Sequence, residues 1–286
     1  MSDPLMSTTE LAERLGEPNM VVLDCSVTLH PDVEAGFVAE PMDEAWQAAH
    51  IPGSRYCDLS NDLSDPDSDL RFMMPTPEYF ATAMASMGVS DDSIVVLYDR
   101  RFTMWATRVW WMLRANGFDN AYVLDGGWSS WEGEGRDVEG GPATPAIPGL
   151  FTPGARPGLI ASADDVMRAV RDTTCIINSL SPENHDGSDD SYGRPGHIPG
   201  AGNVFALGLV DPKTHRYRPL DDLRSEFEAA GVGGPSEPII TYCGGGIAAT
   251  SDAFVLTMLG YNNVAVYDGS LSEWTRDDAR PLEVET

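Results

Sequence analysis

The chain is written twice. Ala49-His-Ile-Pro-Gly-Ser54 returns as Gly196-His-Ile-Pro-Gly-Ala201, and Val123-Leu-Asp-Gly-Gly-Trp-Ser-Ser-Trp131 returns as Val266-Tyr-Asp-Gly-Ser-Leu-Ser-Glu-Trp274. The two histidines, His50 and His197, stand 147 positions apart; the two aspartates, Asp125 and Asp268, stand 143 apart. A near-constant spacing of about half the 286 residues marks a duplicated domain, not a solenoid of short repeats. One order of secondary structure must therefore serve both halves.

Both halves read alike. A capped helix opens each, with Ser7-Thr-Thr-Glu10 ahead of Leu11 and Ser162-Ala-Asp-Asp165 ahead of Val166. A short apolar strand follows, Met20 to Asp24 and Cys175 to Asn178, then a polar loop and the His-Ile-Pro-Gly turn. Helical spacing predicts helices over Thr76 to Met87 and over Leu220 to Ala230. The next strands, Ser93 to Tyr98 and Pro238 to Tyr242, lead into helices Met104 to Ala115 and Ile247 to Leu259. A last strand ends at each Asp-Gly turn. Short apolar strands alternating with helices imply an α/β fold in which each domain is a mostly parallel sheet flanked by helices. The expected domains are 5–138 and 159–286. Between them lies a linker over 139–158, rich in Gly and Pro from Glu139 to Gly149.

The segment Thr241-Tyr-Cys-Gly-Gly-Gly-Ile-Ala-Ala-Thr250 carries the chemistry. It places Cys243 at a strand end, ahead of three glycines and the start of a helix. Glycines let backbone N–H groups turn toward one point, and a helix N-terminus adds partial positive charge there. A thiol so placed is favoured as the reactive thiolate. A free cysteine is more often a small buried hydrophobe, but consecutive glycines weaken strand and helix unless the backbone must approach something. The repeat supplies a control. Tyr98-Asp99 stands opposite Tyr242-Cys243, and the loop Asp99-Arg-Arg-Phe-Thr-Met-Trp105 has neither thiol nor glycines. A fold that tolerates losing both keeps them in the second half for another purpose.

Charge narrows the partners. Asp and Glu number 45 against 18 Lys and Arg, for a formal net charge of −27, and Lys213 is the single lysine. Such a surface repels nucleic acid and anionic membrane, so neither is an expected partner. No stretch approaches transmembrane length, and no N-terminal signal segment is expected. Cys25, Cys57 and Cys175 sit in apolar or turn contexts with no CxxC spacing and read as inert fillers, which fits the cytoplasm. Five scattered histidines offer no zinc spacing, so no metal or other cofactor is expected.

The two copies, with His-Ile-Pro-Gly and Asp-Gly followed by Trp, resemble tandem rhodanese domains. From about residue 5 to the C-terminus the chain is similar to the two-domain thiosulfate/3-mercaptopyruvate sulfurtransferases, and Arg108-Val-Trp-Trp-Met-Leu-Arg114 is close to what such proteins carry. The resemblance implies that Cys243 takes the sulfane sulfur of a small anionic donor as a persulfide and yields it to a thiol or cyanide. It implies that loop residues Gly244, Gly245, Gly246, Ile247, Ala248 and Ala249 bind substrate. It also implies an inactive first domain, with Asp99 in place of the cysteine, packed so that the catalytic cleft lies between the domains. His50 and Arg194 are the further candidate substrate contacts.

The sequence departs from the family's pattern in several places. Thiosulfate-using members often carry Arg and Lys in the six-residue loop; mercaptopyruvate-using members usually have Ser or Thr where Gly245 stands and Thr where Ala248 stands. The Asp-x-Arg pattern after the second domain's first strand is Asn178-Ser179-Leu180, and an expected Arg falls on Asn184, leaving Arg194 as the nearest cation. Without the family, His50 and His197 read as turn residues bonded to their own domain, since both halves keep them. Arg194 could equally pair with carboxylates between Asp186 and Asp190. Trp131 and Trp274 read as core. A cysteine phosphatase would need Arg at the sixth position after Cys243, where Ala249 stands. A persulfide carrier or redox sensor docking a protein partner remains compatible with the glycine loop.

Overall fold

The computed structural model describes residues 3–32, 36–142, 144–172 and 174–285. They form two compact units. The first takes in the described parts of 1–67, 74–156 and 210–217; the second takes in 68–73, 157–209 and 218–286.

The first unit runs β1 (Leu5–Met6), α1 (Thr8–Arg14), β2 (Met20–Asp24), β3 (Val27–Asp32), β4 (Gly36–Pro41), α2 (Asp43–Ala48), β5 (Arg55–Tyr56), α3 (Pro77–Ser86), β6 (Ile94–Tyr98), α4 (Met104–Ala115), β7 (Ala121–Leu124) and α5 (Gly127–Gly133). Its main sheet is parallel throughout, in the order β1-β7-β6-β2-β5. The second unit runs β8 (Ile160–Ala161), α6 (Ala163–Ala169), β9 (Cys175–Asn178), α7 (Pro182–Asp186), β10 (Gly202–Asn203), α8 (Leu220–Ala229), β11 (Ile239–Tyr242), α9 (Ala248–Met258), β12 (Val264–Tyr267) and α10 (Ser270–Trp274). Its sheet, in the order β10-β9-β11-β12-β8, is parallel and repeats the first strand for strand.

Local chemistry accounts for the element ends. Ser7 Oγ accepts from Glu10 N at 3.1 Å to start α1, and Ser162 with Asp165 closes a reciprocal capping box on α6. Thr76 caps α3 with Pro77 as its first helical residue. Past α9, Gly260 adopts φ +89°, a left-handed position that favours glycine.

The cores repeat as well. Ile51, Tyr98 and Trp131 pack together in the first unit, and Ile198, Tyr242 and Trp274 in the second. Each indole Nε1–H is spent on a carbonyl, Trp131 on Asp137 at 2.8 Å and Trp274 on Pro281 at 2.9 Å. Burial of these rings adds to the apolar stabilisation of each unit.

Two features lie outside the sequence reading. The polar loop expected after β2 contains the antiparallel pair β3–β4, with Val27 opposite Pro41. Val27 is buried, but Leu29 and Val38 are 38% and 40% exposed, so the ribbon shows no sustained alternating apolar pattern to read. Residues 144–156 lie along the first unit. Gly149 N donates to Ala85 O at 2.8 Å, Gly154 N donates to Asn116 O at 2.7 Å, and the Arg156 guanidinium pairs with Asp119.

Candidate functional site

Parallel α/β sheets bind ligands where strands end in loops that enter helices. β11 is the central strand of its sheet and buried along its length, and Cys243 follows it directly. Gly246 at φ +75° turns the backbone into α9. Cys243 is 2% exposed. Its carbonyl accepts from Leu271 N at 3.0 Å and that of Gly244 accepts from Ser272 N at 2.9 Å, which ties the loop to the start of α10.

Ser270 organises the loop from beneath. Its Oγ accepts from Cys243 N and from Gly246 N, each at 3.1 Å, and donates to Tyr267 O at 2.7 Å. The same oxygen lies 4.0 Å from Cys243 Sγ. Ser270 is fully buried at φ +49°, a left-handed conformation that costs a residue with a side chain about 1–2 kcal/mol. Its counterpart in the first unit is Gly127 at φ +52°, where an added Cβ would lie 2.3 Å from Asp99 O. Strain is thus accepted in one unit to place a hydroxyl under the loop.

The first unit shows what such a loop binds. Asp99 Oδ1 accepts from the N–H groups of Arg101, Phe102 and Thr103 at 3.0, 3.1 and 3.0 Å. Asp99 Oδ2 accepts from Trp105 N at 3.0 Å and Ala106 N at 3.2 Å. Five backbone donors converge on one buried carboxylate at the head of α4. Burial pushes the Asp99 carboxyl up, and donation from Arg101, Ala106, Thr103 and Trp105 opposes that push. In the second unit the recorded acceptors serve Cys243 N, Gly246 N and Thr250 N. No acceptor among the described residues is recorded for the N–H groups of Gly244, Gly245, Ile247, Ala248 or Ala249.

The other expected contacts are engaged elsewhere. His50 is buried, stacks on Trp46 at 4.1 Å, directs Nδ1 to Trp46 O at 2.7 Å, and holds Nε2 4.0 Å from Glu139. His197 repeats this with His185 at 3.8 Å, His185 O at 2.7 Å and Glu283 at 3.9 Å. Arg194 Nη1 donates to the carbonyls of Asp277 at 3.1 Å and Arg280 at 3.0 Å. No hydrogen bond joins Arg194 to the Cys243 loop among the described residues. Cys25 and Cys57 are fully buried, and burial, then Cys57, push the Cys25 thiol well up. Burial and the charge of Glu237 push Cys175 up to about 11. Among the described residues no group of three or more His, Cys, Asp or Glu side chains could hold a metal ion, and no helix is long and apolar enough to cross a membrane.

Sequence reasoning missed two residues at the loop. Ser270 was visible only as Asp-Gly-Ser against Asp-Gly-Gly within the repeat. Tyr192 gave no signal at all. Its ring lies on Gly244 so closely that an added Cβ would come within 2.1 Å of Cζ and Oη.

Duplicated parallel sheets, each ending its central strand in a loop that enters a helix, define a tandem α/β protein with one cysteine-bearing and one carboxylate-filled loop. The Rhodanese-like domain model matches residues 7–134 and 165–277, and the chain belongs to that family. It is 33% identical over 305 residues to thiosulfate/3-mercaptopyruvate sulfurtransferase 2 of Arabidopsis thaliana, covering 98% of this chain and 86% of the relative. It is likewise 33% identical over 277 residues to the 3-mercaptopyruvate sulfurtransferase of Escherichia coli K12, covering 96% and 95%. The crystal structure of SseA from Escherichia coli, a 3-mercaptopyruvate sulfotransferase, superposes with a TM-score of 0.82 at 31% identity, over 94% of this chain and 99% of that one.

Proposed function

We propose that the protein is a sulfurtransferase in which the Cys243 thiolate carries the sulfur. The observation that carries this reading is the paired loops. Where the first unit satisfies five N–H donors with the Asp99 carboxylate, the second offers a thiol and a glycine-rich backbone. Relatives named for thiosulfate and 3-mercaptopyruvate match over nearly the whole chain, and these two donor classes are the ones proposed here.

The reaction needs no external redox partner. With thiosulfate, the Cys243 thiolate bonds to the outer sulfur, the sulfur–sulfur bond breaks, and its electron pair leaves on sulfite. The product is a Cys243 persulfide anion. Cyanide or a thiolate then bonds to the terminal sulfur, and the electron pair returns to Cys243. Backbone N–H groups of Gly244, Gly245, Ile247, Ala248 and Ala249 have no acceptor among the described residues, and in this reading they stabilise that negative charge, as preorganised donors lower a barrier. Gly244, Gly245, Ile247, Ala248 and Ala249 therefore act through backbone and need no functional side chain, while Gly246 N is held by Ser270 Oγ.

The first unit is catalytically silent in this reading, because Asp99 fills its own cradle. We assign His50 and His197 to holding their turns, and Arg194 to holding the 277–280 segment. The test is mass spectrometry of the Cys243 peptide after incubation with each donor, followed by turnover with cyanide or a thiol. One added sulfur in the wild type and none in Cys243→Ser is expected. Sulfur retained on that peptide by Cys243→Ser would refute the mechanism; loading without turnover would favour a persulfide carrier.

A further inference from the structure

Tyr192 occupies the space that a side chain after the nucleophile would take. A Cβ on Gly244 would lie 2.1 Å from its Cζ, 2.1 Å from its Oη and 2.2 Å from its Cε1. Glycine at 244 is therefore required by the phenol, beyond any need of the loop. His50 stacks on Trp46 of α2 as His197 stacks on His185 of α7, but three residues separate the first pair and eleven the second, so the segment that carries Tyr192 is an insertion with no counterpart in the first unit.

The hydroxyl has no hydrogen-bond partner among the described residues. Tyr98 shares its hydroxyl with Ser54, Tyr56 spends its own on Ser26 O and Met42 N, Tyr242 accepts from Ile198 N, and Tyr261 donates to Gly233 O. Tyr192 is half-buried, and its Oη bonds to no described residue. Burial, and then the charge of Cys243, push its titration upward, so the group remains a neutral O–H donor across the working pH range. An aromatic edge with a free O–H beside a nucleophilic sulfur is built to meet a small molecule that is partly apolar and carries an oxygen.

We infer that Tyr192 is a substrate-contacting residue whose O–H donates to the carbonyl oxygen of an α-keto thiol donor, the class of 3-mercaptopyruvate. This inference rests on the sulfurtransferase reading of Cys243. With such a donor the Cys243 thiolate bonds to the donor's sulfur and the carbon–sulfur bond breaks. The electron pair passes to the methylene carbon and, by conjugation, to the carbonyl oxygen as an enolate. The donor's thiol proton ends on that carbon, so the products are the Cys243 persulfide anion and pyruvate. Charge on the carbonyl oxygen exists only as the bond breaks, so a donor aimed at it accelerates the step instead of merely tightening binding. With thiosulfate the sulfonate oxygens carry charge before and after the step, so the same contact would change KM more than kcat.

The test is donor-resolved kinetics of Tyr192→Phe, which keeps the ring over Gly244 and removes only the hydroxyl. The expected result is a fall in kcat with 3-mercaptopyruvate of about 10- to 100-fold, while kcat with thiosulfate stays within about 3-fold. Gly244→Ala, which must displace the ring, should shift the donor ratio in the same direction, and exposed Tyr79→Phe should leave both donors unchanged. Equal losses for the two donors in Tyr192→Phe would overturn the inference and assign the phenol to packing. Wild type that loads sulfur from thiosulfate but not from 3-mercaptopyruvate would also overturn it. Wild type that loads sulfur from neither would instead remove the sulfurtransferase reading beneath it.

Discussion

Replacing Asp99 by Asn tests the cradle on which the functional reading depends. The change is nearly isosteric, so cavity terms are small and hydrogen bonding decides the outcome. The carboxylate accepts five backbone N–H bonds, three on Oδ1 and two on Oδ2. An asparagine has one oxygen. Turned to keep the three bonds from Arg101, Phe102 and Thr103, it points its own amide N–H groups at the donors of Trp105 and Ala106. Two buried donors then lose their acceptor at about 1–3 kcal/mol each, a total of about 2–6 kcal/mol. That is a large fraction of the ~5–15 kcal/mol that holds a domain together. Urea unfolding followed by tryptophan fluorescence reads the right unit, because six of the seven tryptophans lie in the first unit and only Trp274 in the second. Exposed Asp92→Asn is the control and should stay within about 0.5 kcal/mol of wild type. An Asp99→Asn curve that overlays the control would refute the argument, since it would mean the loop does not hold an anion.

Ser270→Ala keeps the left-handed backbone and strips the bridging oxygen, whereas Ser270→Gly strips the oxygen and relieves the strain. Chemical denaturation should therefore rank Ala below Gly by about 1 kcal/mol, with both losing at least about 10-fold in kcat/KM; a reversed order would remove the strain argument. His185 is held down to about 4 by burial and by neighbouring His197. Between its ordinary value of 6.5 and about 4 the unfolded chain binds a proton that the folded chain refuses, so stability falls as pH drops through that window. His185→Asn should flatten that acid slope in a pH series of denaturation midpoints, and an unchanged slope would exclude His185 as its source. Alkylation of native protein near pH 8 should reach Cys243 before Cys25, Cys57 and Cys175, as peptide mapping would show, because the thiolate is the reacting form and burial opposes it at Cys25 and Cys175. Arg194→Ala should lower the melting temperature by freeing the carbonyls of Asp277 and Arg280, and leave the ratio of kcat/KM for the two donors unchanged. A changed ratio would return Arg194 to the substrate site.

Much of the architecture was legible because it is written in local code. The apolar runs at Met20 to Asp24 and Cys175 to Asn178 are strands β2 and β9 end for end, and Met104 to Ala115 is α4. The serine caps at Ser7 and Ser162 act within three residues of themselves, so adjacent sequence suffices to find them. The repeat extended this to the sheets, since two copies of one pattern fold to one strand order. The β3–β4 ribbon escaped notice because Leu29 and Val38 are exposed and only Val27 at its start is buried, which leaves no alternating apolar run. Residues 210–217 fall by sequence in the expected domain 159–286 but group in space with the first unit. Tyr217 N donates to Asp125 Oδ1 at 3.0 Å within the first unit, across 92 positions of sequence.

The sequence by itself determined the duplication, the α/β class and the single cysteine-bearing loop at a strand end. Each of these is a matter of spacing along the chain, and the loss of the thiol at Asp99 could be read by setting one half against the other. Tertiary structure alone decided how the loop is held and what stands over it. Ser270 reaches Cys243 N across 27 residues, and Tyr192 meets Gly244 from a different strand–loop excursion. Such contacts are set by where parallel strands end side by side, a distance across the sheet that no local propensity encodes.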